Sequence, residues 1–554
     1  MVNVKYYFWL LLSIVTAILF SFSGLKLAFT SIYTVQDDAR QHVFWMQQFN
    51  DPNLFTNDLI ADYFGSVAPF GYKSLYWVAN YIGIEPFVFN KILPVIIGIV
   101  TTIYIFLVCM EIFPVPFAGF IASLLLNQNL WMLDDLVSGT PRAFIYPLFL
   151  AFIYYLLRSS LLPCLLVIIL QGLFYPQVVL ISAAILMIKL LYDWFGYRSF
   201  GDRYSSYFYV TGLALAIFIL AFYALQTSEF GGIIHLAMAK LLPEFYPGGR
   251  NTFFLDNPVA FWLVGQRSGF FPREWQYVLL CSFGLCLPIL KLYPRCFPLV
   301  TKIEQNIAII WQIFLASLLM FALAHLFLFE LHLPSRYSQH TLRVLIALVD
   351  GMAIAIIING ITKNISKQQK LLKPLITVVI ISLLLYPTYA VQAYDYRLGY
   401  QTGKATELYQ FLQQQPKDIS IASLTKEADF IPSLAKRSVL VAEEYSIPYH
   451  LDYYQQIRQR TKDLIAVQYS DNLVEIKNFI QKYNIDFWLL DKNAFTVNYL
   501  QNNNWLRQFK SETETAIAFL QEDKQPALLT KIDNCSIFSD INLVLMHTKC
   551  IRQK

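Results

Sequence analysis

The sequence has 554 residues, of which 56% are hydrophobic and only 14% are charged, whereas soluble domains contain about 25% charged residues. This composition excludes an ordinary soluble protein and indicates a membrane protein with many transmembrane helices. The formal net charge of +5 gives no sign of nucleic-acid binding, and we expect no nucleic-acid partner.

Apolar runs recur along residues 1–393, and runs of about 17 to 25 residues can cross a hydrocarbon core of about 30 Å as helices. They predict an α-helical polytopic domain with about eleven transmembrane helices. The predicted spans are residues 6–29, 86–110, 117–132, a span ending near 158, two short spans within 161–189 divided at 175–177, then 206–226, 277–292, 307–329, 343–361 and 375–393.

Basic residues are concentrated in three predicted loops, and cytoplasmic loops typically carry such an excess. These residues are Arg198 and Arg203, then Lys291, Arg295 and Lys302, then Lys363, Lys367, Lys370 and Lys373. With a cytoplasmic N-terminus, all three loops lie inside, whereas the large loops at about 30–85 and 227–276 and the short ones at 133–142 and 330–342 lie outside. Helix parity and charge therefore both predict an integral protein of the cytoplasmic (inner) membrane.

Residues 394–554 differ in composition from the preceding residues, because charged residues are frequent again and apolar residues occur in short runs. Strand-like runs at 419–422, 438–442 and 487–490 alternate with helical periods at 451–469 and 472–483. We predict a C-terminal extracytoplasmic α/β domain. A disulfide between Cys535 and Cys550 is plausible there, while the other five cysteines are interpreted as small hydrophobic residues.

The most informative stretch is residues 33–77, a polar and aromatic insertion that follows the first apolar run. Its ionisable residues include Asp37, Asp38, Arg40, His42, Asp58, Asp62 and Lys73. Ionisable groups close to a membrane are costly and usually functional. A helix would place Asp37, Arg40 and Gln41 on one face. The alternative is an interfacial helix in which the two aspartates only cap the N-terminus, where the helix dipole favours carboxylates.

A second acidic pair, Asp134 and Asp135, lies between the third and fourth predicted helices, and Arg142 follows it. One interpretation is contact with an acceptor or a sugar. The other is a solvated loop in which an aspartate caps a helix.

Two further arginines lie in predicted outer loops. Arg336 precedes His340 in one of them, and its planar guanidinium suits phosphate oxygens; alternatively, Arg336 and Arg343 extend to lipid headgroups. Arg267 lies in the loop at 227–276, which either selects the acceptor or is a plain connector.

The acidic segments resemble those of a known class of enzymes. Asp37, Asp38 and Arg40 resemble the Asp-Glu-x-Arg signature of GT-C class membrane glycosyltransferases, especially the protein mannosyltransferase and aminoarabinose transferase branch, with Asp38 in place of Glu. Residues 72–77 resemble the Lys-Pro-Pro-Leu-Tyr-Trp motif of that branch, with Ser74 in place of a proline. Asp134 and Asp135 fall where the class has its second acidic site.

This resemblance implies an inverting transfer of a sugar from a polyprenyl-phosphate donor to a glycan, lipid or protein acceptor on the outer face. Asp37 would be the base, or would orient the nucleophile if the acceptor is an amide, with Asp38, Asp134 and Asp135 as further catalytic residues. The remaining assignments are Arg40, Lys73 and Arg336 to the donor phosphate, and His42, Arg142 and Arg267 to the acceptor or sugar. Some members of the class bind a divalent metal, and no His or Cys ligand spacing is present here.

Two alternatives remain open. A transporter or flippase of lipid-linked sugars typically has polar residues near the membrane midplane and paired repeats, whereas the charged groups here lie in outer loops. An oligosaccharide polymerase or ligase keeps the same chemistry with a larger donor. Because no nucleotide-binding signature is visible, we expect a lipid-linked donor and membrane lipids as partners.

Overall fold

The computed structural model describes residues 2–194, 203–226, 228–272, 282–364 and 398–553, with a few further positions between 375 and 386. A bundle of long apolar helices is followed by a smaller domain with a five-stranded sheet. The predicted boundary between residues 393 and 394 lies outside the described residues and stays a prediction.

The helices of the bundle and of its connecting segments are numbered in chain order. They are α1 Val2–Ala28, α2 Asp37–His42, α3 Leu59–Val67, α4 Phe70–Tyr81, α5 Pro86–Ile112, α6 Pro116–Leu130, α7 Asp134–Val137, α8 Ile145–Leu157, α9 Leu161–Phe174, α10 Gln177–Trp194, α11 Arg203–Leu225, α12 Leu236–Ala239, α13 Leu287–Leu292, α14 Ala308–Leu326 and α15 Ser335–Asn364.

Within the described residues, six helices are long and apolar enough to cross a membrane. They cover Val4–Ala28, Pro86–Ile112, Gln177–Trp194, Ser206–Leu225, Gln305–Leu326 and Ser335–Lys363. The helix break predicted at 175–177 is confirmed, because α9 ends at Phe174 and α10 begins at Gln177. The total of about eleven spans stays a prediction, since residues 277–281 and most of 375–393 lie outside the described residues.

The prediction for the last described span was wrong at its outer end. The helix begins at Ser335, eight residues before the predicted start, so Arg336 and His340 lie on its first turns and not in a loop. Polar residues there suggested water, but His340 and Arg343 are buried in the protein. The helix can therefore continue outward because its polar side chains find partners inside the bundle.

The strands are likewise numbered in chain order. They are β1 Thr34–Gln36, β2 Tyr400–Thr402, β3 Ser420–Ser423, β4 Ser438–Val439, β5 Phe487–Asp491, β6 Ser536–Ser539 and β7 Leu543–His547. The C-terminal domain, residues 398–553, has a mixed sheet with the strand order β4-β3-β5-β7-β6. Strands β3, β4 and β5 are parallel. Strand β7 is antiparallel to β5 and to β6, and the sequence did not predict β6 or β7.

The helices of this domain cover the sheet. They are α16 Thr406–Gln413, α17 Ile431–Leu434, α18 Leu451–Gln468, α19 Leu473–Tyr483, α20 Val497–Asn502, α21 Lys510–Gln521, α22 Ile532–Cys535 and α23 Thr548–Gln553. Trp488 is completely buried, and its Nε1 donates to Gln468 at 3.3 Å. The disulfide between Cys535 and Cys550 is present. The predicted α/β domain is therefore confirmed.

A small sheet joins the first connecting segment to the C-terminal domain. Strand β1 pairs antiparallel with β2, so that Val35 lies opposite Gln401. Beyond this pairing, the backbone N–H of Asp37 donates to the carbonyl of Gly399 at 2.8 Å. The start of the C-terminal domain therefore fixes the backbone from which Asp37 and Asp38 project.

Candidate functional site

The site is built on the junction between β1 and α2. The side chain of Gln36 caps the helix by accepting a hydrogen bond from the N–H of Ala39 at 3.2 Å. Asp37 and Asp38 occupy the first turn, where a helix dipole favours carboxylates. Because Gln36 supplies the cap, the two aspartates are available for other contacts, and each contacts a different group.

Asp37 faces the C-terminal domain, whereas Asp38 faces the bundle. Arg40, one turn further along α2, forms an ion pair with Asp37, as the predicted shared face requires. Asp38 instead accepts a hydrogen bond from Nη2 of Arg142 at 2.6 Å. The acidic pair is therefore divided between two charge clusters.

Arg142 is the centre of the cluster on the bundle side. Its Nη2 lies 3.1 Å from Oδ2 of Asp134, and its Nε lies 3.1 Å from Oδ1 of Asp135. The structure therefore brings Asp38, Asp134 and Asp135 around one guanidinium, although the first of them is about 100 residues from the others in the sequence. A plain solvated loop does not describe this segment, because the Arg142 side chain is 14% exposed.

Helix α15 completes this cluster around Asp135, whose side chain is 6% exposed. Arg343 forms an ion pair with Asp135, and Nη1 of Arg336 lies 3.9 Å from its Oδ1. The hydroxyl of Tyr146 donates to Asp135 at 3.2 Å and lies 2.8 Å from Nδ1 of His340. Both arginines point into the protein, so the extension to lipid headgroups considered for them is not what the structure shows.

The second cluster centres on Glu444 of the C-terminal domain, a residue that the sequence did not single out. Its Oε2 lies 2.8 Å from Nη2 of Arg40, and its Oε1 lies 2.9 Å from Nη2 of Arg250. Gln41 donates a further hydrogen bond to Oε1. The available signal was two adjacent acids, Glu443 and Glu444, within an otherwise apolar run after a predicted strand.

Two of the aspartates are unusually basic. Burial raises the pKa of Asp37, the negative charge of Glu444 raises it further, and Arg40 opposes both effects. Burial also raises the pKa of Asp134, with Arg142 opposing it. These are also the accessible carboxylates, because their side chains are 42% and 39% exposed.

The other two aspartates, Asp38 and Asp135, have lowered pKa values and therefore stay ionised at lower pH. Burial disfavours the charge of Asp38, but the positive charge of Arg142 outweighs it with help from His42, so the pKa lies below its ordinary value. The pKa of Asp135 lies well below its ordinary value because Arg343 and Arg142 outweigh burial. Each charge cluster thus contains one partly exposed, more basic aspartate.

Gly399 lies where these two aspartates approach each other. A Cβ atom built on this glycine would lie 3.6 Å from the Cβ atoms of both Asp134 and Asp37. The side chains of the two more basic aspartates therefore both start beside Gly399, where the bundle and the C-terminal domain meet.

Three of the predicted site residues lie outside these ion pairs. Lys73 is exposed on α4, and its Nζ lies 5.3 Å from the ring centroid of Trp45. Arg267 donates to the carbonyl of Thr252 at 3.4 Å. His42 is half-buried near Asp38; burial lowers its pKa, and the charge of Asp38 opposes that effect.

The placement of the carboxylates bears on whether the site can hold a metal ion. Within the described ranges, no group of three or more His, Cys, Asp or Glu side chains is placed to hold a metal ion. Asp38, Asp134 and Asp135 are directed at Arg142. The residues do not fit a metal site in this arrangement, and we assign no step to a metal.

No family model and no curated protein sequence matches the chain. Its structure is similar to the oligosaccharyltransferase of Archaeoglobus fulgidus in the apo form, with a TM-score of 0.54, 13% identity, and coverage of 90% of this chain and 72% of that chain. The same archaeal enzyme, AglB, in complex with an inhibitory peptide and a dolichol-phosphate also gives 0.54, with 11% identity over 92% of this chain and 72% of that chain. The chain has the GT-C fold.

A more distant similarity is to ArnT from Cupriavidus metallidurans in the apo state, with a TM-score of 0.48, 11% identity and 97% coverage of both chains. The similarity to the archaeal enzyme, with its TM-score of 0.54, confirms the GT-C fold implied by the sequence resemblance. At 11–13% identity this similarity shows the fold alone.

Proposed function

We propose that the protein is an inverting membrane glycosyltransferase that moves a sugar from a polyprenyl-phosphate donor to an acceptor on the outer face of the cytoplasmic membrane. The observation that carries this proposal is the approach of Asp37 and Asp134, the two more exposed and more basic aspartates, beside Gly399 at the contact between the bundle and the C-terminal domain. The GT-C fold supports it, since the A. fulgidus enzyme of this fold was observed with a dolichol-phosphate.

The proposed reaction is a direct displacement. An acceptor hydroxyl or amine attacks the anomeric carbon as the bond from that carbon to the phosphate oxygen breaks, and its electron pair stays on the phosphate. Asp37 takes the proton of the acceptor, and its raised pKa makes it a stronger base than an ordinary aspartate. Inversion follows because the attack and the departure occur on opposite faces of the sugar.

Cations have to stabilise the charge that develops on the leaving phosphate. In this proposal Arg336 and Lys73 keep that role, and Asp38, Asp134 and Asp135 hold the arginines of the bundle side in place. Arg40 has carboxylates on both sides, Asp37 and Glu444. We therefore assign Arg40 to the orientation of Asp37 and no longer to the phosphate.

The test compares wild type with Asp37→Asn in purified form, using radiolabelled polyprenyl-phosphate sugars and a panel of glycan, lipid and peptide acceptors. We expect transfer by wild type and a loss of about 100-fold or more in the variant, the usual contribution of a positioned base. Asp62→Asn is the matched control, because Asp62 is an exposed acid of the same connecting segment.

Full transfer by a folded Asp37→Asn variant would show that Asp37 is not the base. If wild type transfers no sugar from any donor but moves the labelled donor across a proteoliposome membrane, the protein is a flippase. Product carrying a preassembled oligosaccharide would instead identify an oligosaccharide ligase.

A further inference from the structure

Glu444 reaches the site from outside the segments that carry the aspartates. It lies in the short turn Glu443–Tyr445, just beyond β4, and its side chain is 6% exposed. The turn is held from within the C-terminal domain, because the N–H of Glu444 donates to Oδ1 of Asp429 at 2.8 Å. The position of the carboxylate therefore follows the position of the whole domain.

The contacts of Glu444 join three parts of the chain. Arg40 and Gln41 belong to α2, whereas Arg250 belongs to the middle segment, residues 228–272. Arg250 is held in turn, because its Nε donates to the carbonyl of Glu443 at 3.1 Å. The carboxylate of Glu444 has a fixed direction, since Arg40 contacts one of its oxygens and Arg250 contacts the other.

Glu244 is a second buried carboxylate and serves as a comparison for Glu444. Oε1 of Glu244, in the middle segment, lies 3.4 Å from Nε of Arg458 in the C-terminal domain, and its side chain is 3% exposed. This pair also joins the middle segment to the C-terminal domain. What distinguishes Glu444 is that its partner Arg40 is also the partner of Asp37.

We infer that Glu444 is a positioning residue for the transfer proposed above: it shares Arg40 with Asp37, and so makes the orientation and basicity of Asp37 depend on the position of the C-terminal domain. The inference rests on the proposed function for its catalytic meaning. Its physical content is a contact chain from Glu444 through Arg40 to Asp37, which is testable without a substrate.

The charges around Asp37 indicate in which direction loss of the Glu444 charge shifts the pKa of Asp37. Arg40 and Arg250 favour its ionised form, while Glu444 and Asp38 disfavour it. Asp134 faces it across Gly399. Removing the charge of Glu444 removes a repulsion from Asp37 and also removes the carboxylate that competes most strongly with Asp37 for Arg40, so both effects lower the pKa of Asp37.

Asp429 is the remaining acid next to Glu444. Burial, and then the charge of Glu444, raise the pKa of Asp429 to about 7. In a Glu444→Gln variant Asp429 is ionised at lower pH than in wild type. Asp429 acts on Arg40 less strongly than Glu444 or Asp37 does, so its titration reduces the expected shift in the pKa of Asp37 without reversing its sign.

The experiment follows Asp37 directly in the full-length protein. Carbodiimide labels protonated carboxyl groups, and mass spectrometry of the Asp37 peptide across a pH series gives the midpoint of its protonation. We expect Glu444→Gln to move this midpoint to lower pH, Glu444→Asp to move it back toward wild type, and Glu244→Gln to leave it unchanged.

A midpoint of Asp37 that stays in place or rises in a folded Glu444→Gln variant would overturn the inference, whether or not the protein transfers sugar. Where wild type is active, the same variants are assayed for transfer. We expect kcat to fall by about tenfold or more in Glu444→Gln, with KM for the donor within about twofold of wild type, because an interaction with the base is lost while donor contacts remain.

Absence of transfer by wild type with every donor would overturn the proposed function, and the labelling result would still decide whether Glu444 controls Asp37. A parallel loss of rate in Glu444→Gln and Glu244→Gln, with no shift of the Asp37 midpoint, would show that both residues only hold the domains together. That outcome also overturns the inference.

Discussion

At the scale of single residues, the site is a set of charges that depend on one another. Arg142 contacts Asp38, Asp134 and Asp135, and its side chain is mostly buried. A buried charge is tolerated only when it is paired and hydrogen-bonded. The three carboxylates are therefore kept in place by the same guanidinium whose buried charge they compensate.

Replacing Arg142 with Met tests this dependence. Three carboxylates would lose their common cation, and breaking a buried ion pair typically costs about 3–5 kcal/mol. We expect a clearly lower melting temperature for Arg142→Met in detergent. The control is Arg158→Met, because the pair of Arg158 with Glu111 is exposed and 3.7 Å long, and such pairs are worth about 0–1 kcal/mol.

The pH dependence separates this explanation from simple loss of packing. In wild type the pKa of Asp38 is depressed, so its contribution to stability is present above the unfolded pKa and is lost as the pH falls through the folded pKa. In Arg142→Met, Asp38 and Asp134 have lost their ion-pair partner and are destabilising when charged. The gap in melting temperature between variant and wild type should therefore narrow toward acidic pH; a constant gap contradicts the electrostatic explanation.

The individual site residues were predictable to different degrees. The contact between Asp37 and Arg40 follows from their spacing of three residues on a helix. The meeting of Asp134 with Arg142 follows from their proximity in the sequence. Glu444 and Arg250 were not predictable in this way, because nearly 200 residues separate them and their contact depends on how the domains fold together.

At the scale of elements, two short strands position the acids. Strands β1 and β2 have three residues each and lie more than 360 residues apart in the sequence. Strands of three residues are too short to show a recognisable alternation of apolar and polar residues, so this pairing was not predictable from the sequence. Gly399 precedes β2 with a φ of +71°, which L-residues with side chains rarely adopt.

The consequence is a prediction for Gly399→Ala. The added Cβ would lie 2.9 Å from Nε2 of Gln36, the capping side chain of α2, and the left-handed conformation adds a cost of about 1–2 kcal/mol. We expect transfer activity to fall at least tenfold while the protein remains folded, measured by transfer assay and melting temperature.

Gly83→Ala is the matched control for this substitution. Gly83 has a φ of +90°, and no atom lies within 4 Å of its added Cβ, so it has the same kind of strain without the contact at the site. Equal losses of activity in both variants would mean that strain alone is responsible and that the backbone at Gly399 does not position the acids.

Helix α15 shows why sequence analysis placed one element incorrectly. Hydropathy identifies residues that face lipid, and it therefore detects only the apolar part of a helix whose outer end faces a polar site. Arg336, His340 and Arg343 were assigned to a loop or its edge because they are polar, yet they continue the helix toward Asp135. By contrast, the break between α9 and α10 was predictable because Pro176 and its neighbours interrupt an apolar run.

At the scale of the whole molecule, the site lies where the helical bundle, the middle segment and the C-terminal domain meet. The bundle contributes Arg142 and α15, the middle segment contributes Arg250, and the C-terminal domain contributes Glu444 and Gly399. An acceptor bound by the C-terminal domain would thus be close to Asp37, while a polyprenyl chain would lie along the apolar helices. This division of tasks requires the C-terminal domain to lie on the outer face.

Reporter insertions test that requirement. The basic segment after Trp194 and the C-terminus after Gln553 should lie on opposite sides of the membrane, because an excess of Lys and Arg marks cytoplasmic loops. We expect alkaline phosphatase, which matures only outside the cytoplasm, to be active when attached after Gln553 and inactive when inserted after Trp194. Green fluorescent protein at the same positions is the reciprocal control and should fluoresce only after Trp194. Fluorescence after Gln553 would place Glu444 and Asp37 on the cytoplasmic side and would contradict transfer on the outer face, whatever the activity of the purified protein.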